Sequence, residues 1–266
     1  MQTKPTFRAI GVLAGLACAG FAHAQDRAVG GLHLELDVSS VETDTSNSTS
    51  SGAIGAGLTA TLPIGPYFGA SLGGGYTRSR VRTRDVLTDE GGELAGERPN
   101  CNFDSVTGEA ALFFRLPSWG RALVGYNLSD LSADCQTTVF PLSGEDSLST
   151  DGYRFAAEAY LGKFTLGAEH GRTKLEDGPE LEATTVFASW YPIESLKVAL
   201  SGNDLYDEDA FGIMLEHQPE MFGDSLGVRL GFTTTDASPR ARTYELGVSY
   251  YFGRKVSLLT RDRQYR

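Results

Sequence analysis

The stretch Thr243-Tyr244-Glu245-Leu246-Gly247-Val248-Ser249-Tyr250-Tyr251-Phe252 decides how the rest of the chain is read. Tyr244, Leu246, Val248, Tyr250 and Phe252 share one parity, while Glu245, Gly247 and Ser249 share the other. Side chains alternate across a β-strand, so the segment is a strand with one apolar and one wet face. The apolar face must meet either a protein core or lipid. Which of the two it meets depends on whether the pattern repeats.

It repeats along the whole chain. Leu32, Leu34, Leu36 and Val38 alternate with His33, Glu35 and Asp37. The same alternation continues in Ile54 to Leu62, Phe68 to Tyr76, Val106 to Phe114, Ala122 to Leu128, Tyr153 to Leu161, Phe164 to Ala168, Val186 to Trp190, Leu196 to Leu200, Phe211 to Leu215 and Leu226 to Phe232. This predicts an all-β chain of about twelve antiparallel strands, each of the length a tilted membrane strand needs. Long polar stretches, expected as loops over Ser39–Gly52, Arg78–Asn100, Gln136–Thr150 and Asn203–Ala210, alternate with tight turns such as Gly162-Lys163.

The wet faces carry Glu35, Glu109, Arg115, Arg121, Arg154, Glu158, Glu169, Arg229 and Glu245, with Asp37 beside them. A dry core does not hold so many charges, which argues against a soluble sandwich or a lipocalin-like barrel. A water-filled lumen does, and these nine residues are the expected pore lining. Glu158 and Glu169 are expected as diagonal neighbours across the Gly162-Lys163 hairpin, there to meet a cation or a lumen arginine. Aromatics gather near both strand ends as two girdles: Phe68, Phe114, Trp119, Tyr160, Phe164, Trp190 and Phe252 at the turn end, and Tyr76, Tyr153, Phe155, Phe211, Phe232 and Tyr244 at the loop end.

Glu245, Gly247, Tyr250 and Phe252 form a polar-x-Gly-x-x-aromatic-x-aromatic series. It resembles the terminal-strand signal by which Gram-negative outer-membrane β-barrels are recognised for assembly. The resemblance to the porin-like class covers the N-terminal signal, the strand run and this terminal strand. It implies a single up-and-down barrel in the cell outer membrane, with outer-membrane lipid, lipopolysaccharide and the barrel assembly machinery as partners. One departure stands out: the class ends at the terminal aromatic, whereas this chain continues through Gly253–Arg266 with five basic residues.

The N-terminus fits that destination. Lys4 and Arg8 precede an apolar run, Ala9 to Ala22, and Ala22-His23-Ala24 is a small-x-small cleavage site. Residues 1–24 therefore read as a secretory signal peptide, 25–252 as the barrel and 253–266 as a basic periplasmic tail. The formal net charge is −11, and loss of the basic signal makes the mature chain more acidic still. That excludes nucleic acid as a partner.

Cys101 and Cys135 remain once Cys18 leaves with the signal. A three-residue turn at Pro117-Ser118-Trp119 puts Leu116 opposite Gly120 and, further up, Cys101 opposite Cys135. In an oxidising compartment that predicts a disulfide. His33, His170 and His217 fall on different strands without metal-ligand spacing, so no cofactor or metal is expected. Inward serines lack a partnered inward histidine, and no enzyme is expected. The expected function is passive diffusion of small polar solutes, with a weak cation preference because inward acids outnumber inward bases. The competing expectation is a structural or surface-interaction barrel with a plugged lumen.

Overall fold

The computed structural model describes residues 32–45, 50–65, 67–82, 101–116, 118–133, 147–176, 180–205, 208–236, 240–253 and 255–265. The expected signal peptide and Cys135 lie outside them. Twelve strands follow one another: β1 (His33–Thr45), β2 (Ser50–Ile64), β3 (Phe68–Arg82), β4 (Cys101–Leu116), β5 (Gly120–Ala133), β6 (Ser147–Leu161), β7 (Phe164–Leu175), β8 (Glu180–Ile193), β9 (Leu196–Leu205), β10 (Glu208–His217), β11 (Leu226–Thr235) and β12 (Ala241–Phe252). Each pairs antiparallel with its neighbours in sequence, and β1 pairs with β12, so the sheet is a closed barrel. Closure gives every strand two partners and removes the edges that lipid would not tolerate. No helix among the described residues is long and apolar enough to cross a membrane.

The last strand closes the barrel against the first. Leu34 pairs with Phe252, Val38 with Val248 and Thr45 with Ala241. The hairpin registers also follow the sequence argument. Leu161 pairs with Phe164 across Gly162-Lys163, where Gly162 takes a positive φ of 61°. Leu116 pairs with Gly120, and the register continues to Phe103 opposite Ala133. Beyond that pair, Cys135 is outside the described residues.

Several strands run longer than their apolar alternation. β1 continues to Thr45, β2 begins at Ser50, β3 continues to Arg82, and β9 and β10 extend to Leu205 and from Glu208. The loops expected over Ser39–Gly52, Arg78–Asn100, Gln136–Thr150 and Asn203–Ala210 are correspondingly shorter. Above the apolar band water replaces lipid, so the backbone ladder goes on without an apolar outer face. β8 carries a bulge between Trp190 and Ile193, which ends the hairpin with Tyr191 turned fully into the interior.

The outer surface carries the expected belt. Ile54, Leu58, Leu72, Val106, Leu112, Val186, Leu230 and Leu246 are all exposed. At the turn end Phe68 tilts against Phe114 at 5.2 Å and Phe164 stacks on Trp190 at 6.4 Å. At the loop end Phe232 meets Tyr244 at 5.3 Å and Tyr153 meets Phe155 at 5.6 Å. Tyr160 is the exception: it is buried on the inner face and belongs to no girdle, because its parity matches Glu158 rather than Leu161.

Candidate functional site: the lumen and its turn-end mouth

The interior has two levels. In its middle, two arginines hold acids along opposite walls. Arg154 on β6 pairs with Glu169 on β7 at 3.2 Å and with Glu109 on β4. To reach Glu109 it crosses β5 over Gly125, where a Cβ would stand 3.2 Å from its Cγ and Nε atoms. Arg229 on β11 does the same. It pairs with Glu245 on β12 at 2.8 Å and, crossing β12 over Gly247, with Asp37 on β1 at 3.4 Å. Each guanidinium thus lies flat on a glycine and binds a carboxylate two strands away. Charge-assisted bonds of this kind hold long side chains against a wall instead of across a space. Two bulky inward rings are flattened similarly: Phe113 lies over Gly69 and Phe187 over Gly167, each directly opposite in register.

Glu158 and Glu169 occupy the predicted diagonal, with Ala156 opposite Glu169 and Glu158 opposite Gly167. Each meets an arginine: Glu158 bonds Arg121 at 3.1 Å, and Glu169 bonds Arg154. The Arg115 and Arg121 guanidinium groups stand 5.9 and 5.6 Å from the Phe113 ring centroid. Phe113 also joins Ala111, Leu123 and Ala156 in a small apolar patch on the inner wall. Leu123 breaks the polar alternation of β5. Glu35 occupies an inward position of β1, opposite Tyr251 and Thr59.

The second level is the mouth at the turn end, and the chain's own tail fills it. After Phe252 the backbone reverses at Gly253, whose φ is 115°, a conformation that favours glycine. A short helix α1 (Leu258–Asp262) follows, with Ser257 as N-cap accepting from the Thr260 amide. Leu258, Arg261 and Asp262 are 0%, 1% and 0% exposed. Asp262 accepts from Lys197 Nζ and the Tyr191 hydroxyl, both at 2.9 Å. Lys197 also bonds Glu216 at 2.6 Å, and Glu216 accepts from Arg261 at 2.7 Å. Four buried charges therefore alternate in sign, so that each has a counter-ion to offset its loss of water.

The segment reaches other walls too. Arg115 donates to the Gln264 carbonyl at 2.8 Å, Thr61 donates to the Tyr265 carbonyl at 2.7 Å, and His33 stacks on Tyr265 at 4.4 Å. Arg263 donates to Thr165 and to the Phe164 carbonyl, at 3.3 and 2.6 Å. A few residues thus stack on β1, bond to β2 and β4 on one side, and bond to β7, β8, β9 and β10 on the other. Such a segment lies across the opening. Burial lowers the Arg263 pKa, with Tyr191 and Tyr160 opposing the shift; a guanidinium nonetheless stays cationic.

Of the residues expected from sequence as pore lining, Arg115, Arg121 and Glu158 stand near the mouth, whereas Glu109, Arg154, Glu169, Arg229 and Glu245 make the two wall networks. Glu245 and Gly247 of the terminal-strand series serve the Arg229 network, while Tyr250 and Phe252 face outward, ring to ring at 4.8 Å. Sequence reasoning missed the cluster of Tyr191, Lys197, Glu216 and Asp262. Its signal was the crowding of inward charges at the turn end beside an unexplained basic tail.

No family model matches the chain, and no curated protein does. Among solved structures it is similar to an outer membrane channel from Pseudomonas putida F1, at 11% identity over 86% of this chain and 97% of that one, with a TM-score of 0.59. It is also similar to the KdgM porin in complex with disordered oligogalacturonate (9% identity, 82% and 99% covered, TM-score 0.52). A third similar structure is the translocator domain of the autotransporter NalP from Neisseria meningitidis (12% identity, 91% and 92% covered, TM-score 0.52). The shared feature is the fold. The chain has the fold of the outer-membrane β-barrels, in the closed twelve-strand antiparallel form.

Proposed function

We propose that the protein is a porin-like channel of the outer membrane for small polar solutes, weakly cation-preferring, with its turn-end mouth held shut by its own tail. The observation that carries this is the treatment of large inward side chains. Arg154, Arg229, Phe113 and Phe187 are each laid over a glycine on the wall instead of extending into the interior. A barrel meant only as a solid post gains nothing from that. Two of the similar structures are a channel and a porin by their own names, which agrees with this reading. Acids outnumber bases on the inner strand faces, and acidic walls favour cations. Reversal potentials of the refolded protein in a salt gradient test the reading. Cation preference is expected, reduced in Glu109→Gln and Glu169→Gln, which leave Arg154 with less carboxylate to neutralise it.

The buried tail also favours a second reading, a permanently plugged barrel that serves through its surface and loops. Absence of conductance in wild type and in every tail-releasing variant selects it.

A further inference from the structure

Among the groups that anchor the tail are two arginines, and the barrel supplies nearly everything that holds them. The Arg261 guanidinium lies 3.6 Å from the centroid of the Tyr251 ring, donates to Glu216 at 2.7 Å and donates to the Gln218 side-chain oxygen at 2.8 Å. The Arg263 guanidinium stands 4.8 Å from the Tyr160 ring and 5.8 Å from the Tyr191 ring, and donates to the Thr165 hydroxyl and the Phe164 carbonyl. An aromatic face together with acceptors around the edge favours a planar guanidinium over a compact ammonium.

The helix that contains Arg261 and is capped by Arg263 contributes little order of its own. At five residues it is far below the length at which an isolated helix holds together. The mouth orders the tail, and not the reverse. Departure of the tail is also tolerable for the wall: Lys197 remains 2.6 Å from Glu216, so no buried carboxylate is left without a cation.

We propose that the turn-end mouth is a binding site for guanidinium groups, occupied at rest by Arg261 and Arg263, and that arginine-bearing peptides compete with the tail for it. The tail is then a tethered occupant, and its exchange for a free ligand unseats the plug. The consequence for conduction rests on the channel reading above, whereas the binding site itself does not. A tethered group of this kind acts at a local concentration of order millimolar. A free ligand therefore meets an open site only when the tail's own arginines are removed.

The test uses the full-length protein carrying Arg261→Ala and Arg263→Ala, with folding checked by heat-modifiable migration. Should that variant fail to fold, Arg261→Lys with Arg263→Lys replaces it, since it keeps the charges and loses only the planar forks. A fluorescent synthetic peptide of residues 255–266 is titrated by anisotropy, beside the same peptide with Arg261 and Arg263 changed to lysine. The proposal expects the arginine peptide to bind the variant at least tenfold tighter than the lysine peptide does. It also expects at least tenfold weaker binding to wild type, and displacement by arginine amide but not by lysine amide. Equal binding of the two peptides, equal binding to wild type and variant, or no binding overturns it. Conductance is recorded on the same samples. Peptide binding that closes an open variant supports site and channel together; binding to a variant that never conducts supports the site and sinks the channel.

Discussion

Arg229 reaches Asp37 across the barrel seam: its Nη2 atom stands 3.4 Å from a carboxylate oxygen on β1, after passing over Gly247 of the intervening β12. Ser249 donates to the other oxygen of Asp37 at 2.6 Å. The closing strand pair is therefore fastened on its wet face as well as by its backbone ladder. A Cβ at Gly247 would stand 3.0 Å from the arginine's terminal nitrogen, which is flexible enough to yield. Gly247→Ala should accordingly be tolerated. Gly247→Leu should lift Arg229 off the wall into the lumen, reducing conductance and cation preference while the barrel still migrates as a folded, heat-modifiable species. Unchanged conductance in Gly247→Leu would show that the flat arginine does not matter to the passage.

Phe252 is the outward terminal aromatic, ring to ring with Tyr250 and opposite Leu34 of β1. A charge there sits near the apolar interface, where the cost is about 0–1 kcal/mol, against about 2–4 kcal/mol at the midplane for a basic residue. Stability alone thus predicts a mild phenotype for Phe252→Asp. We expect a strong one, because the resemblance assigns this residue to the assembly signal. Membrane fractionation with protease resistance separates the two: poor insertion in cells together with normal refolding in detergent is the expected result.

The register of β4 with β5 runs from Leu116–Gly120 to Phe103–Ala133; continued at the same step it would set Cys101 opposite Cys135. We predict that they are joined. Mass spectrometry of the non-reduced mature protein after alkylation should find neither thiol modified. Two alkylated thiols would refute the pairing.

Lys197 is the cation shared by Glu216 and Asp262. Removing one partner from a buried charge network costs about 3–5 kcal/mol when nothing moves. Here something can move, since Asp262 belongs to the tail and can take its charge to water. Arg261 would leave with it, so Glu216 has to be neutralised as well: Lys197→Met with Glu216→Gln is expected to leave the barrel folded and release the tail. Limited trypsin digestion followed by mass spectrometry should find rapid cleavage after Arg261 and Arg263 in the variant and protection in wild type. Equal protection of both would mean that the helix holds without this cluster.

The barrel was legible because its strongest constraint is written residue by residue. Lipid demands an apolar side chain at alternate positions, so Leu112 and Phe114 of β4 or Val248 and Tyr250 of β12 announce both strand and face. Strand length beyond the membrane was not legible. Nothing apolar marks Thr43 or Arg82, although the ladder continues through them. The wall networks were half legible. Parity identified Arg154, Glu109 and Glu169 as inward, but only the crossing over Gly125 says which acid the arginine takes. The mouth was hidden for another reason. Arg261 and Asp262 look like an exposed basic tail until paired with Lys197 and Glu216, which are far away in sequence and carry no local pattern.

Single-channel recording most directly tests the central claim, that a polar passage runs through this barrel and its tail closes it. The recording compares full-length wild type with the full-length double variant Lys197→Met, Glu216→Gln in a planar bilayer under a salt gradient. The account predicts mostly closed records for wild type with brief cation-preferring openings, and long openings of the same preference for the double variant. Records no different from protein-free bilayer for both, with the trypsin digest showing the tail released, would contradict it.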